Sequence, residues 1–329
     1  MKNGKSPGPD ELSNEIYKRF GGLLVPYLRK MYIQSYEDAM GEKHSKPAEP
    51  SLFNKPWRTI NWGVKQSALQ YVNSYKPQTE GQQIRILLHG PNGAGKSSFI
   101  NSVQSVLHGR MYAQALVANA QTSCFTKKYT TYKVQRGDPE TLYPFVFNDI
   151  MGLSSQGGVH VDDVKLALMG HVKEGYKFNP ESKMTKDDKY YIESPTEDDK
   201  VHVLVCVLPA DTLSIMTPDI LQKIRDIRGR ASELGIPQVI VLTKIDAADP
   251  EIKKDLKNVY NVVSLKEKME RLSADVGIPM NCIYPIRNYS EEIDLNNDTD
   301  SLILSALKNI IHFGDDCINF HKSHSGFLD

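Results

Sequence analysis

Five short apolar runs alternate along the chain with longer segments of mixed polarity. They occupy residues 84–88, 144–147, 201–208, 238–242 and 282–286, and they are rich in β-branched and aromatic side chains. Near-continuous apolar runs of this length are typical of parallel strands that helices cover on both faces of a sheet. The pattern therefore predicts an α/β fold built on a mainly parallel sheet flanked by helices.

The segments between and after these runs predict the helices. Residues 221–233 and 256–275 show helical periodicity with mixed charge, and residues 302–313 form an apolar helical stretch that we expect to close the domain. Residues 175–200 are rich in Lys, Asp, Tyr, Pro and Ser and interrupt the strand–helix rhythm. Residues 314–329 predict a frayed tail.

Residues 1–50 differ in character, with prolines, charges and one moderately amphipathic stretch. The words KSPGPD at 5–10 and EIYKRF at 15–20 resemble a segment of LINE-type reverse transcriptases, without that family's catalytic aspartate motif. A retroelement-derived leader, an artefact of the gene assignment and a helical arm on the main domain all stay open. The predicted organisation is a leader over 1–50, partly helical or disordered, a main domain over 51–318 and a tail over 319–329.

The bulk composition excludes several classes of protein. The chain has 329 residues, is 40% hydrophobic and 24% charged, and has a formal net charge of zero, so a large core is expected and a broad nucleic-acid surface is not. Its first residues contain no apolar signal segment, and its longest apolar run is too short to cross a bilayer. The four cysteines show no C-x-x-C spacing. We therefore expect a cytoplasmic protein with reduced thiols and no transmembrane segment.

The strongest chemical signal follows the first apolar run. Residues 90–97 read GPNGAGKS, the full G-x-x-x-x-G-K-[ST] pattern of a P-loop, directly after a predicted strand. Backbone N–H groups of such a loop surround phosphate oxygens, its lysine reaches the β- and γ-phosphates, and its serine hydroxyl can bind Mg²⁺. The predicted phosphate-binding residues are Gly90, Asn92, Gly93, Ala94, Gly95, Lys96, Ser97 and Ser98, together with Gly152 of the next motif.

A second signal is the D-x-x-G word formed by Asp149 to Gly152 at the end of the second apolar run. An aspartate at this strand end suits Mg²⁺, usually reached through water, and the glycine N–H can sense a γ-phosphate. The expected metal ligands are Ser97, Asp149 and a threonine from the Thr- and Tyr-rich segment 122–132. Thr126 is the first choice for that threonine and Thr130 the second; an exposed strand is the alternative interpretation of this segment.

A third signal, Thr243-Lys244-Ile245-Asp246, follows the fourth apolar run and is similar to the guanine-selecting N/T-K-x-D motif of GTPases. The Asp246 carboxylate would accept two N–H bonds from guanine, whereas adenine offers no matching pair of donors. The Lys244 stem would lie along the base. Because Thr243 replaces the commoner asparagine, we do not expect the stabilising amide link that asparagine would make to the P-loop. The segment Arg287-Asn288-Tyr289-Ser290, after the last apolar run, is expected to flank the base, with Asn288 as its base-binding residue.

One position departs from the pattern of active GTPases. Ras-like enzymes carry a glutamine just after the D-x-x-G glycine, where it orients the attacking water. Leu153 stands there in this chain, and Gln156 is the nearest substitute. Asn92 also replaces a small glycine near the expected γ-phosphate. We expect slow hydrolysis of GTP unless a partner or self-association supplies the missing groups.

With these motifs the chain from Asn54 to about Ile318 resembles the interferon-induced protein 44 family of GTPase-like proteins. The resemblance implies a P-loop NTPase fold, GTP or GDP with Mg²⁺ as cofactors, and a cytoplasmic role in interferon-induced antiviral defence or growth restraint. It implies a guanine nucleotide as the ligand, with self-association or protein effectors as further partners. Many members carry a larger N-terminal domain, which the leader here does not resemble. The words that carry the resemblance are KPWR at 55–58, the P-loop with SFINSV at 98–103, DIMGL at 149–153, FNP at 178–180, residues 239–246, KDLKNVY at 254–260 and NYS at 288–290.

Two other interpretations of the P-loop stay open. An ATPase of the ABC class can carry the same P-loop word, but it needs a glutamate after its acidic strand end, where this chain has Ile150. Its signature loop must also precede that strand, whereas the similar-looking residues 153–158 follow it. A degenerate domain that serves only as a binding scaffold is the second alternative. The intact Lys96, Ser97, Asp149 and Asp246 count against it.

Overall fold

A computed structural model of the chain describes residues 51–63, 65–77, 81–115 and 127–325. Within these ranges the residues form one six-stranded sheet with helices on both faces. The leader at 1–50 and the last four residues lie outside the described part. The sheet and its helices confirm the α/β fold that the apolar runs predict.

The sheet has the strand order β2-β3-β1-β4-β5-β6. All neighbouring strands are parallel except the edge pair of β2 and β3, which is antiparallel. Because β1, β3, β4, β5 and β6 run in one direction, the loops that follow them share one edge of the sheet. The strands are β1 (Ile84–His89), β2 (Thr130–Arg136), β3 (Asp138–Asp149), β4 (Val203–Pro209), β5 (Gln238–Thr243) and β6 (Ile283–Pro285).

Helices cover the two faces of the sheet in two groups. One group, α1, α2 and α8, includes the helix that follows the P-loop, and the other consists of α3, α4 and α7. The interior between them is mainly apolar, as in the edge-to-face contact of Phe99 and Phe147, whose ring centroids lie 6.1 Å apart. The helices are α1 (Lys65–Ser74), α2 (Lys96–His108), α3 (Val161–Leu168), α4 (Pro218–Glu233), α5 (Ile245–Ala248), α6 (Pro250–Lys254), α7 (Val263–Val276) and α8 (Asn297–Ser325).

Two helical segments differ from the sequence-based expectation. The predicted helix over 256–275 is divided into a 3₁₀ turn at Leu256–Tyr260 and helix α7. The predicted tail is wrong over 314–325, because α8 continues to Ser325. Gly314 lies on the buried side of α8, where an added Cβ would come within 2.4 Å of Ile84 Cγ2 on β1. The helix therefore reaches its full length by packing closely on the strand that leads into the P-loop.

The segment before α1 is fixed beside the last strand. Phe53 N donates to Asn261 O and Trp57 N donates to Tyr260 O, at 2.7 and 3.0 Å. The Arg58 guanidinium donates to the carbonyl oxygens of Met280 and Ile283 and lies over the Trp57 ring. The KPWR word thus has a structural role in closing the domain. Within the described ranges, every helix is too short or too polar to span a lipid bilayer.

Candidate nucleotide-binding site

The P-loop connects β1 to α2 at the carboxyl edge of the sheet. Its first residue, Gly90, has φ 139°, and a Cβ there would lie 2.1 Å from the carbonyl oxygen of Val207 on the neighbouring strand. Any other residue at this position would need both a disfavoured backbone and a displaced strand. Helix α2 then begins at Lys96, so the loop's last N–H groups and the helix N-terminus point to the same space.

The P-loop lysine is folded into the loop itself. Lys96 is only 7% exposed, and its Nζ donates to the carbonyl oxygens of Gly90 and Pro91, both at 3.2 Å. His89 lies beneath it and is almost completely buried. Burial, helped by the nearby Lys96 charge, lowers the pKa of His89 to about 3, so this imidazole is neutral at physiological pH. The lysine is therefore the only positive charge of this pair of side chains.

The two predicted metal ligands that the structure describes lie together. Ser97 Oγ donates to Asp149 Oδ2 at 2.6 Å, and Asp149 is fully buried at the end of β3. Mg²⁺ is usually held by one or two protein oxygens with phosphates and waters completing its shell, and this hydroxyl–carboxylate pair fits that demand. Among the described residues no group of three or more His, Cys, Asp or Glu side chains could hold a metal alone. A metal here would depend on a bound phosphate.

The third expected metal ligand, Thr126, lies outside the described residues. The second choice, Thr130, begins β2 and is paired in register with Asp149 across the antiparallel edge of the sheet. Its hydroxyl lies 3.4 Å from the carbonyl oxygen of Lys128. Residues 130–132 of the segment therefore form an edge strand, which was the alternative interpretation of its Thr and Tyr alternation.

The D-x-x-G loop contacts the P-loop directly. Leu153 N donates to Gly90 O at 2.9 Å, and Asn92 N donates to Leu153 O at 3.0 Å. Leu153 is 1% exposed, so the residue in the place of a catalytic glutamine is an apolar core side chain. Gln156 is exposed, and its backbone is held by the Ser154 hydroxyl. The side chain of Leu153 has no polar atom, and the side chain of Gln156 is exposed, so neither side chain replaces the catalytic glutamine.

Thr243 links β5 to the P-loop through its hydroxyl, in place of the amide link that asparagine would make. Its hydroxyl is fully buried and donates to Ala94 O at 2.6 Å. Asn288 Nδ2 donates to the adjacent Gly95 O at 3.1 Å, so a second side chain braces the same turn. Both links are made to backbone carbonyls. The loops that follow β1, β5 and β6 are therefore held together by side-chain bonds.

The predicted base-binding residues are brought to this rim. Lys244 is exposed and has φ 55°, which makes it the single non-glycine residue with positive φ among those described. Asp246 lies two positions after Lys244 and is partly exposed in the short helix α5. Its Oδ2 is 3.5 Å from Nε of Arg287, and Arg287 also contacts the Glu292 carboxylate.

Arg287 belongs to the segment after β6 that is expected to flank the base. It follows β6 by two positions and directly precedes Asn288. Its charge partner could not be predicted from the sequence, because Asp246 is 41 positions away in sequence order and no local pattern links them. The arrangement keeps a guanidinium beside the carboxylate that would read the base.

Curated relatives of the chain belong to one family. No protein-family model matches the chain. Interferon-induced protein 44 of Pan troglodytes and of Homo sapiens are each 36% identical to it over 255 residues, 77% of this chain and 57% of each relative. Interferon-induced protein 44-like of Homo sapiens is 32% identical over 248 residues, 74% of this chain and 55% of that relative. The chain thus spans little more than half the length of these relatives.

Among solved structures, Toc33 from Arabidopsis thaliana in complex with Mg²⁺ and GMPPNP is 16% identical to the chain, and the match covers 78% of this chain and 94% of that one. Its TM-score is 0.44, and a likeness at this level adds nothing to the fold assignment, which rests on the strand order and the P-loop. The curated relatives match in sequence across three quarters of the chain. The chain therefore belongs to the interferon-induced protein 44 family.

Proposed function

We propose that the chain binds GDP and GTP with Mg²⁺ and acts as a nucleotide-dependent switch or scaffold, with slow or partner-dependent hydrolysis. The observation that carries the proposal is the convergence of three loops. The Ser97–Asp149 bond joins the P-loop to β3, and the Thr243–Ala94 bond joins it to β5. Lys96 and Asp246 therefore belong to one rim, at a spacing fixed by buried hydrogen bonds.

Guanine is the base that this rim favours. A carboxylate at Asp246 can accept two N–H bonds from the guanine edge, and hydrogen bonds to charged groups contribute about 1.5–3 kcal/mol each. Adenine would leave the carboxylate without donors, and a site that loses such bonds discriminates strongly.

Slow hydrolysis follows from the residue after the D-x-x-G glycine. Leu153 has no polar atom in its side chain and is buried, so it cannot orient a water molecule. Gln156 is exposed, and the bonds that its backbone makes to the Ser154 hydroxyl do not fix its side chain. An isolated chain is expected to turn over GTP at a rate that rises with protein concentration or with an added partner, because another chain would have to supply the missing group.

Titration with fluorescent nucleotides tests the binding proposal. We expect GDP and GTP to bind in the presence of Mg²⁺, ATP to bind far more weakly, and Lys96→Ala to abolish binding. Asp246→Asn should relax the preference for guanine over adenine, with Asp294→Asn, an exposed aspartate after β6, as its matched control. Tight binding of ATP would support the ATPase alternative, and no binding of any nucleotide would support the scaffold.

A role in the interferon response is part of the proposal. It rests on the names of the curated relatives, which describe those proteins as interferon-induced. The match covers just over half of each relative, so the role is proposed for the shared part alone. Measuring the transcript before and after interferon treatment of the source cells tests this role, and an unchanged level would contradict it.

A further inference from the structure

The D-x-x-G loop is paired with the P-loop as a short extension of the parallel sheet. The two backbone bonds between Leu153 and residues Gly90 and Asn92 form a parallel bridge of Pro91 with Leu153. Beyond this bridge, β1 and β3 are already in parallel register from Ile84 to Leu88. The bridge thus continues the parallel pairing of β1 and β3 into the P-loop. One N–H group of the P-loop, that of Asn92, is used in this pairing.

Side-chain packing supports the paired arrangement. Leu153 is 1% exposed and belongs to the main hydrophobic core. Gly152 lies against Asn92 so closely that an added Cβ would be 2.1 Å from Asn92 Oδ1 and 2.8 Å from Asn92 N. The backbone of Gly152 therefore lies directly against Asn92, with no room for a side chain between the two loops. Separating them would expose Leu153 to water and break both bonds.

The other end of the D-x-x-G loop is tied to the sheet's second helical layer. Val159 N donates to Gly152 O at 3.1 Å, which closes the loop on itself. Lys223 Nζ on α4 donates to Ser154 O at 2.8 Å, and the hydroxyls of Ser155 and Thr217 are 3.1 Å apart. The loop is thus held from α4 while its first residues pair with the P-loop.

We propose that Leu153 and Asn92 make the site select its nucleotide by the number of phosphates, with a nucleoside diphosphate preferred over a triphosphate. The inference rests on the proposed guanine-nucleotide binding. In P-loop switches the γ-phosphate is held by contacts from the switch loops, which must turn their N–H groups toward it. Here the loop that follows β3 is bonded to the P-loop instead. A diphosphate leaves that pairing intact, whereas a third phosphate has to break it.

The selectivity depends on Leu153 and Asn92, two positions at which the chain departs from the usual GTPase pattern. A glutamine at position 153 would favour a solvent-facing loop, but leucine favours the core and so favours the paired form. A ligand can shift such an equilibrium only by its different affinity for the two forms. The affinity for the triphosphate is therefore lowered by the equilibrium constant for opening the pairing. A variant that weakens the pairing should raise that affinity again.

Equilibrium titration of the full chain with GDP and GMPPNP tests this selectivity. We expect the wild type to bind GDP more tightly, and Leu153→Ala to raise the ratio of GMPPNP to GDP affinity by about tenfold or more. Leu168→Ala is the matched control, because Leu168 is equally buried at 1% exposure but lies away from the P-loop. It ends helix α3, and its carbonyl oxygen accepts from Val201 N, just before β4. The control variant should leave the ratio unchanged. If Leu153→Ala does not fold, Leu153→Val and Asn92→Gly provide milder changes in the same direction.

Amide hydrogen exchange provides a readout at the pairing itself. The amides of Asn92 and Leu153 should be protected in the GDP complex and should exchange faster in the GMPPNP complex. A wild type that binds GMPPNP as tightly as GDP, or a ratio that moves equally in Leu153→Ala and Leu168→Ala, would overturn the selectivity and leave guanine binding standing. A chain that binds neither nucleotide would overturn the proposed function and the selectivity with it.

Discussion

Replacement of Thr243 by valine removes one buried hydroxyl from the junction of β5 and the P-loop. The hydroxyl lies 2.6 Å from Ala94 O and 3.2 Å from Leu208 O. A single proton serves one acceptor at a time, and the shorter distance identifies the Ala94 carbonyl as its partner. Valine has almost the same shape and strand preference, so the change tests the hydrogen bond and not the packing.

The expected loss follows from the burial of both partners. Thr243 and Ala94 are each 0% exposed, so water cannot replace the missing donor. Leaving a buried acceptor without its partner costs about 1–3 kcal/mol in the free energy of unfolding. For a domain of this size each kcal/mol lowers the melting temperature by about 2–4 °C. If half of that energy holds the P-loop in shape for phosphate, GDP affinity falls by about twofold to tenfold.

Thr243→Ser is the matched control, because it keeps the hydroxyl and loses only a methyl group, at a cost of about 1 kcal/mol. Denaturant unfolding gives the stability of the three proteins, and fluorescence titration gives their affinities for GDP. We expect the serine variant to keep the GDP affinity of the wild type and the valine variant to lose it. The reasoning is refuted if the valine variant binds GDP as tightly as the wild type while the serine variant is weaker.

Three further changes test other parts of the site and fold. Arg287→Ala should weaken GDP binding by about twofold to fivefold, because a half-exposed ion pair with Asp246 contributes up to about 1 kcal/mol; unchanged GDP titrations would contradict it. Lys65→Met should cost about 1–3 kcal/mol of unfolding free energy, because it removes the cation 2.6 Å from the buried Asp300 carboxylate and leaves that charge, among the described residues, only the Tyr289 hydroxyl; adding Asp300→Asn should restore part of it. Burial lowers the pKa of His202 from 6.5 to about 4, so the unfolded protein binds a proton at this histidine before the folded protein does. Stability is therefore lost as the pH falls from about 6.5 to 4, by up to about 3 kcal/mol. His202→Asn should flatten that part of the pH profile of unfolding.

The location of the chemical groups could be predicted from the sequence because each motif directly follows an apolar run. Lys96, Asp149 and Asp246 follow β1, β3 and β5, and parallel strands bring their carboxyl ends to one edge. The strand boundaries and the loop chemistry are both local properties of the chain. Local pattern alone was enough to place these three side chains at one rim.

Contacts between distant loops could not be predicted in this way. Thr243 has no amide group to link it to the P-loop, and the sequence did not indicate that its hydroxyl reaches a carbonyl 149 positions away in the chain. The pairing of Leu153 with the P-loop likewise depends on how two loops meet above the sheet. Sequence indicated that Leu153 is unsuited to catalysis, but it gave no sign that this residue closes on Asn92. Such contacts are set by tertiary geometry, which one sequence does not contain.

Helix boundaries failed for a related reason. The periodicity over 256–275 continues through a break because a 3₁₀ turn and an α-helix share similar apolar spacing. At the break, Leu52 pairs with Val262 and Phe53 N donates to Asn261 O, contacts that the periodicity does not indicate. At the other end, a glycine followed by two aspartates at 314–316 is typical of a helix end. The helix nevertheless continues, and the next two residues, Cys317 and Ile318, are buried.

Gly314 gives the C-terminal helix a property opposite to that of most exposed helix glycines. Exchange of a helical glycine for alanine usually gains about 1 kcal/mol, and consensus engineering exploits this. At this position the new methyl group would clash with Ile84, the first residue of β1, which leads into the P-loop. Attempts to make the protein more heat-resistant by that route would therefore loosen the helix and disturb ligand affinity together.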